Sequence, residues 1–138
     1  MADDLRSILK SLSPRLNEGK YFMGTFSEAQ MMGLAGYLQY IVCIFRESEG
    51  ITAVFREEAK DAMSRYTDRK MEGPFALITL DVVSSLFSVG LLARVADSLA
   101  KEKIPCNAFS AYHHDHLLVP YDKREAALAA LKKLQKTA

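Results

Sequence analysis

The chain has 138 residues, 49% hydrophobic and 25% charged, with a formal net charge of +1. A chain of this length buries roughly 70% of its unfolded surface, as one compact domain or two small units sharing a core, so it needs no metal or disulfide staple to fold. Residues 1–70 carry ten basic and ten acidic side chains and the remainder eight and seven, which leaves no cationic excess for a nucleic-acid backbone, and no apolar run approaches a bilayer span of about 20 residues.

Residues 3–12, DDLRSILKSL, set Leu5, Ile8, Leu9 and Leu12 at helical spacing behind two acids. The same opening has no long apolar core of a secretory signal, so a reducing cytoplasm is the expected location. Cys43 and Cys106 show neither a disulfide framework nor zinc-ribbon spacing. Pro14 and Gly19 then break the helix, and 20–26, KYFMGTF, reads as a strand weakened by Gly24. Residues 27–37 stay open between a helical turn and a loop containing Gly33 and Gly36. The run LQYIVCIF, 38–45, reads as a strand buried on both faces, with Cys43 as a small buried hydrophobe. Across the turn RESEG, ITAVF (51–55) returns as its hairpin partner. REEAKDAMSRY, 56–66, predicts a short helix with a solvated face, and TDRKMEGP, 67–74, a linker. The expected division is therefore an N-terminal unit, 1–72, and a C-terminal unit, 73–138.

FALITLDVV, 75–83, predicts a strand with Leu77, Thr79, Asp81 and Val83 on one face and Ile78, Leu80 and Val82 on the other. Residues 88–103 predict a helix whose stripe is Leu92, Val95, Ala96 and Leu99, stopped by Pro105. Strands are expected at 106–112 and 116–120 around a turn formed by His113, His114 and Asp115. A last helix, 122–136, begins with Asp122 and Glu125 at capping-box spacing. The order β-α-β-β-α lacks a closing strand. The first half can supply it, which gives an α+β fold of two interleaved half-units, with helices on one face of an antiparallel sheet.

SVGLLARVADSLAKEKIPCN resembles the first helix of the ACT domain, a ferredoxin-like βαββαβ regulatory fold, with Gly90, Leu91, Leu92, Val95, Leu99 and Ile104 on the family's pattern. The longer stretch from ITLDVV to HLLVP is similar to small stand-alone proteins with two ACT units, and FREEA after the first hairpin fits the same group. Where many amino-acid-binding relatives carry an aspartate three residues before the glycine, this chain has Phe87. The resemblance implies binding of a small molecule, typically an amino acid, with no catalysis and no cofactor. It also implies a homodimer, with regulation passing through self-association or an unidentified protein partner.

The loop SSLFSVGL joins a strand to a helix start, whose first amides have no intrahelical partner and favour an anion. Gly90 would let backbone approach a ligand, and Ser84, Ser85 and Ser88 offer hydroxyls. The alternative is plain architecture, with one serine as the helix cap and the glycine there for packing. The expected ligand set comprises those four with Val89 and Leu91, and Asn107, Ser110, Tyr112, His113, His114 and Asp115 from the second hairpin. Asp115 suits either a turn or a ligand ammonium. All three histidines of the chain fall at 113, 114 and 116, so a metal-dependent enzyme built on them is the alternative function. Zinc usually takes three or four protein ligands, and no further histidine or cysteine pair is at hand. Ser110 or Cys106 beside a histidine has no nucleophile motif around it.

Overall fold

The computed structural model describes residues 4–82 and 84–138. In chain order its elements are α1 (Leu5–Lys10), β1 (Ser13–Leu16), β2 (Tyr21–Phe26), α2 (Glu28–Met32), β3 (Ile41–Arg46), β4 (Ile51–Arg56), α3 (Lys60–Ser64), β5 (Glu72–Asp81), α4 (Leu91–Lys101), β6 (Asn107–Ser110), β7 (Asp115–Pro120) and α5 (Arg124–Lys136). They form two compact units. The first is Gly19–Phe75, and the second joins the described residues through Glu18 to Ala76–Ala138. A division by sequence at residue 72 differs from this one chiefly in where the opening helix and strand go.

The first unit orders its strands β3-β4-β2 and then the opening residues of β5, and the β3–β4, β4–β2 and β2–β5 pairs are antiparallel. Its core is Phe22, Phe26, Leu34, Ala53, Phe55, Ala59 and Met63. The open stretch 27–37 resolves into α2 and the start of a 3₁₀ segment, Ala35–Tyr40. A capping box starts α2: Gln30 N donates to Ser27 Oγ at 3.2 Å and Ser27 N to Gln30 Oε1 at 2.7 Å.

Two expectations for this unit need correction. The run 38–45 is not one doubly buried strand, because its first three residues belong to the 3₁₀ segment and β3 is an edge strand. Val42, Ile44 and Phe45 on it are exposed, Phe45 to 65%, and Cys43 is only partly buried. A continuous apolar run reports hydrophobicity, and edge position depends on pairing partners that such a run does not encode. The helix expected at 56–66 is a 3₁₀ turn, Glu57–Ala59, followed by the five residues of α3. Ala59 and Met63 are buried, so its inner face belongs to the core.

The end of the expected linker is strand. β5 takes in Glu72, Gly73 and Pro74. Gly73 sits at φ +139°, and a Cβ there would come within 2.6 Å of the Phe22 ring, which explains a glycine in this strand. At its far end β5 stops at Asp81, and Val83, expected to share that strand, lies outside the described residues, as does Asp3 of the expected first helix.

The second unit orders its strands β1-β5-β7-β6. β1 is antiparallel to β5, from Ser13↔Asp81 to Leu16↔Ile78, and β6 is antiparallel to β7. Both units thus trace βαββαβ. β5 is the last strand of the first and the first strand of the second, and β1 provides the closing strand that the C-terminal half lacks. Ile8 and Leu9 of α1, Val95 and Leu99 of α4, and Ala127 and Leu131 of α5 bury themselves with Ile78, Leu80, Leu117 and Val119 of the sheet. The stripe of α4 is Leu91, Val95 and Leu99, with Ala96 exposed, a rotation of the expected one. No capping box starts α5: Asp122 lies in a 3₁₀ turn, Tyr121–Lys123, and the helix begins without a side-chain cap.

Candidate functional site

The β5–α4 loop and the β6–β7 turn of the second unit enclose a cavity of about 260 Å³. Ser84, Ser85, Leu86, Ser88 and Gly90 line one side. Residues 110–115 line the other, from Ser110 through Tyr112, His113 and His114 to Asp115. The first turn of α4 adds Leu91, Leu92 and Ala93. Of the residues expected from sequence, Val89 and Asn107 are not among those lining the cavity: Val89 points to solvent, and Asn107 lies exposed at the far end of β6. Leu86, Leu92, Ala93 and Ala111 were not anticipated. Leu92 and Ala93 could have been, since the amides of a helix start belong to the residues following its cap.

The serines do not cap α4. Ser85 N donates to Ser88 Oγ at 2.9 Å and Phe87 N to Ser85 Oγ at 3.2 Å, so these hydroxyls brace their own loop. The cap position is Gly90, at φ +98° with no side-chain hydrogen bond, and no acid stands in the first turn. The first helical amide bonded back is Arg94 N, to Gly90 O at 3.1 Å. The amides ahead of it have no helical acceptor, and they carry the positive end of an eleven-residue helix. Gly90 owes its identity to a different neighbour than expected: an added Cβ would meet Leu5 of α1 at 3.0 Å.

The turn also differs from expectation. Ala111 N donates to His114 O at 3.0 Å, so the turn spans 111–114 and Asp115 begins β7 opposite Ser110. Among the described residues, Asp115 is the one carboxylate that lines the cavity, and no lysine or arginine lines it. Leu86, Phe87, Val89 and Tyr112 are all strongly exposed, Phe87 to 87%, and belong to the cavity loop and the facing turn.

Behind the cavity runs a polar network that sequence reasoning missed. Arg15 Nε donates to Asp81 Oδ2 at 3.0 Å, and Asp81 Oδ1 stands 3.6 Å from His114 Nε2. The Arg15 hydrogen bond, opposed by burial and helped by nearby positive charge, holds the Asp81 carboxyl below its ordinary range. Arg15 also donates to Asn17 Oδ1 at 3.2 Å, and Asn17 Nδ2 donates to Thr79 Oγ1 at 2.9 Å. Thr79 Oγ1 lies 3.0 Å from His116 Nδ1. Burial, with the His114 charge adding to it, pushes the His116 imidazole below its ordinary value. His114 Nδ1 is buried without a hydrogen-bond partner. The histidines do not converge as metal ligands. The His114 and His116 rings are 6.4 Å apart between centroids, and among the described residues no group of three or more histidine, cysteine, aspartate or glutamate side chains is placed to hold an ion.

A family model described as ACT domain matches residues 72–133, and a second ACT domain model matches residues 2–69. Among solved structures, a Vibrio cholerae protein of unknown function, described as a possible transport protein, is 36% identical, with 95% of each chain covered and a TM-score of 0.77. An Agrobacterium tumefaciens protein is 15% identical over 90% of this chain and 89% of its own, with a TM-score of 0.66. The ligand-free regulatory subunit of aspartate kinase from Thermus thermophilus is 11% identical over 90% of this chain and 97% of its own, with a TM-score of 0.72, a likeness of fold. No curated protein matches the chain. Among the described residues, no helix is long and apolar enough to cross a membrane.

Proposed function

The chain belongs to the ACT domain family, with two such units in one polypeptide, and we propose that it is a cytoplasmic regulatory protein that binds an amino acid in the cavity between the β5–α4 loop and the β6–β7 turn. One observation carries this reading. The cavity sets an uncapped helix start with no acid in its first turn against a lining whose single carboxylate is Asp115. The α-carboxylate of a zwitterion suits the first and its ammonium the second. The hydroxyls of Ser84 and Ser110 and the imidazole of His113 remain for the ligand's side chain. The regulatory subunit from Thermus thermophilus shares the fold. Regulation requires the bound amino acid to favour one state of association over another, and a homodimer is the state we propose.

Thermal melts with each of the twenty common L-amino acids test the reading. Binding at 100 times Kd adds about 2.7 kcal/mol, read as a rise of several degrees in Tm. Asp115→Ala and Ala93→Glu should each abolish the response. Were no amino acid to stabilise the wild type, or were both variants to respond as it does, the reading would fail.

A further inference from the structure

The first unit carries a cavity of about 370 Å³ at the place matching the one just described. Thr25, Phe26, Ser27 and Gln30 line it at the β2–α2 junction, and Glu49 lines it from the β3–β4 turn. The two junctions occupy the same position in βαββαβ and have opposite polarity. α4 begins after a long loop, with no cap hydrogen bond and no acid in its first turn. Only Ser27 separates α2 from β2, and the Ser27–Gln30 capping box engages the amides of Ser27 and Gln30. Its first turn already holds a carboxylate, Glu28, which pairs with Arg46. The cavity beside it adds two more acids, Glu49 and Asp68, against the single cation Arg69.

We infer that the two units are functionally unequal: the second takes the amino acid, and in the first the chain's own groups already occupy the equivalent place, so each chain binds one ligand. This rests on the proposed function and adds to it the stoichiometry and the unit responsible. The physical basis is competition. An incoming carboxylate at α2 would have to displace Gln30 and Ser27 from amides they already satisfy and approach Glu28 at close range. At α4 no side-chain cap and no first-turn acid stands in its way.

Ala93 is the third residue of α4 and is exposed, the position that Gln30 holds in α2. Ala93→Glu therefore gives the second unit an internal carboxylate of the kind the first already has. Calorimetric titration of the wild type, of Ala93→Glu and of a Glu28→Ala, Gln30→Ala double variant with each of the twenty common L-amino acids tests the inference, with circular dichroism confirming that each folds. One equivalent per chain is expected for the wild type and none for Ala93→Glu, while the double variant, relieved of the side chains that compete at α2, should keep its one equivalent and add a weaker second. A second equivalent in the wild type, or binding that survives Ala93→Glu, would overturn the inequality while leaving the sensor reading in place. An absence of saturable heat with every amino acid would overturn both.

Discussion

His116 Nδ1 faces a buried hydroxyl. Asn17 Nδ2 donates to Thr79 Oγ1, and the Thr79 proton, not used in that contact, is available to donate to a neutral His116 Nδ1. Burial lowers the imidazole's affinity for a proton, which favours that neutral form. The sign follows directly. Below pH about 6.5 the unfolded chain protonates this histidine and the folded chain resists, so stability falls as pH drops through that window. Asp81 acts in the same direction at lower pH: the Arg15 hydrogen bond holds its folded pKa below the ordinary carboxylate range, and its stabilisation is lost as pH falls through that depressed value. Thermal melts between pH 7.5 and 5.5 should show a declining Tm, and His116→Gln, which keeps an acceptor, should flatten the decline. An identical slope in wild type and variant would remove His116 as its source.

The start of α4 combines two demands that separate by substitution. Gly90→Ala places a side chain in the left-handed region and a methyl 3.0 Å from Leu5. The cost is about 1–2 kcal/mol, read as a lower urea midpoint with an unchanged slope. Ala93→Glu should do the reverse in the ligand-free protein, adding about 0.3–1 kcal/mol through the helix dipole while ending the response to amino acids. A variant that unfolded instead would show that Ala93 packs more tightly than its exposure implies. At this scale the sequence was informative where one segment determines itself. The 3.6-residue period identified α1, α4 and α5, and a loop opening into Gly90 located the cavity wall. It was less informative where a distant segment decides. Arg15 and Asp81 are 66 residues apart, and nothing in either neighbourhood announces their pairing. The 3₁₀ segment at Ala35–Tyr40 is likewise hidden, because its uncharged residues run into β3 with only Gln39 polar between Tyr37 and Phe45.

For the whole molecule, the need for a closing strand was visible from counting alone, because β-α-β-β-α is one strand short of βαββαβ. Its source required coordinates, since β1 is four residues with a proline and reads as the end of a helix. The edge strand β3 poses the remaining question. From Leu38 to Phe45 there is no charged residue and no proline, the two commonest guards of an exposed edge, and Ile44 and Phe45 face solvent. A register shift between Ile41 and Cys43 offers partial protection. An edge of this kind offers both backbone hydrogen bonds and apolar side chains to a second copy. An antiparallel self-pairing centred on 43 and 44 brings no like charges face to face. The apolar rim of the cavity, on an irregular loop, offers side chains alone. The proposed homodimer should therefore depend on β3. Light scattering over a concentration series should show association that Ile44→Lys weakens at least about tenfold, by placing an ammonium that pairing would desolvate on the apolar edge, while Phe87→Lys on the rim leaves it intact. If Phe87→Lys dissociates the protein and Ile44→Lys does not, the contact lies at the cavity mouth, and association should then tighten or loosen as the amino acid is added.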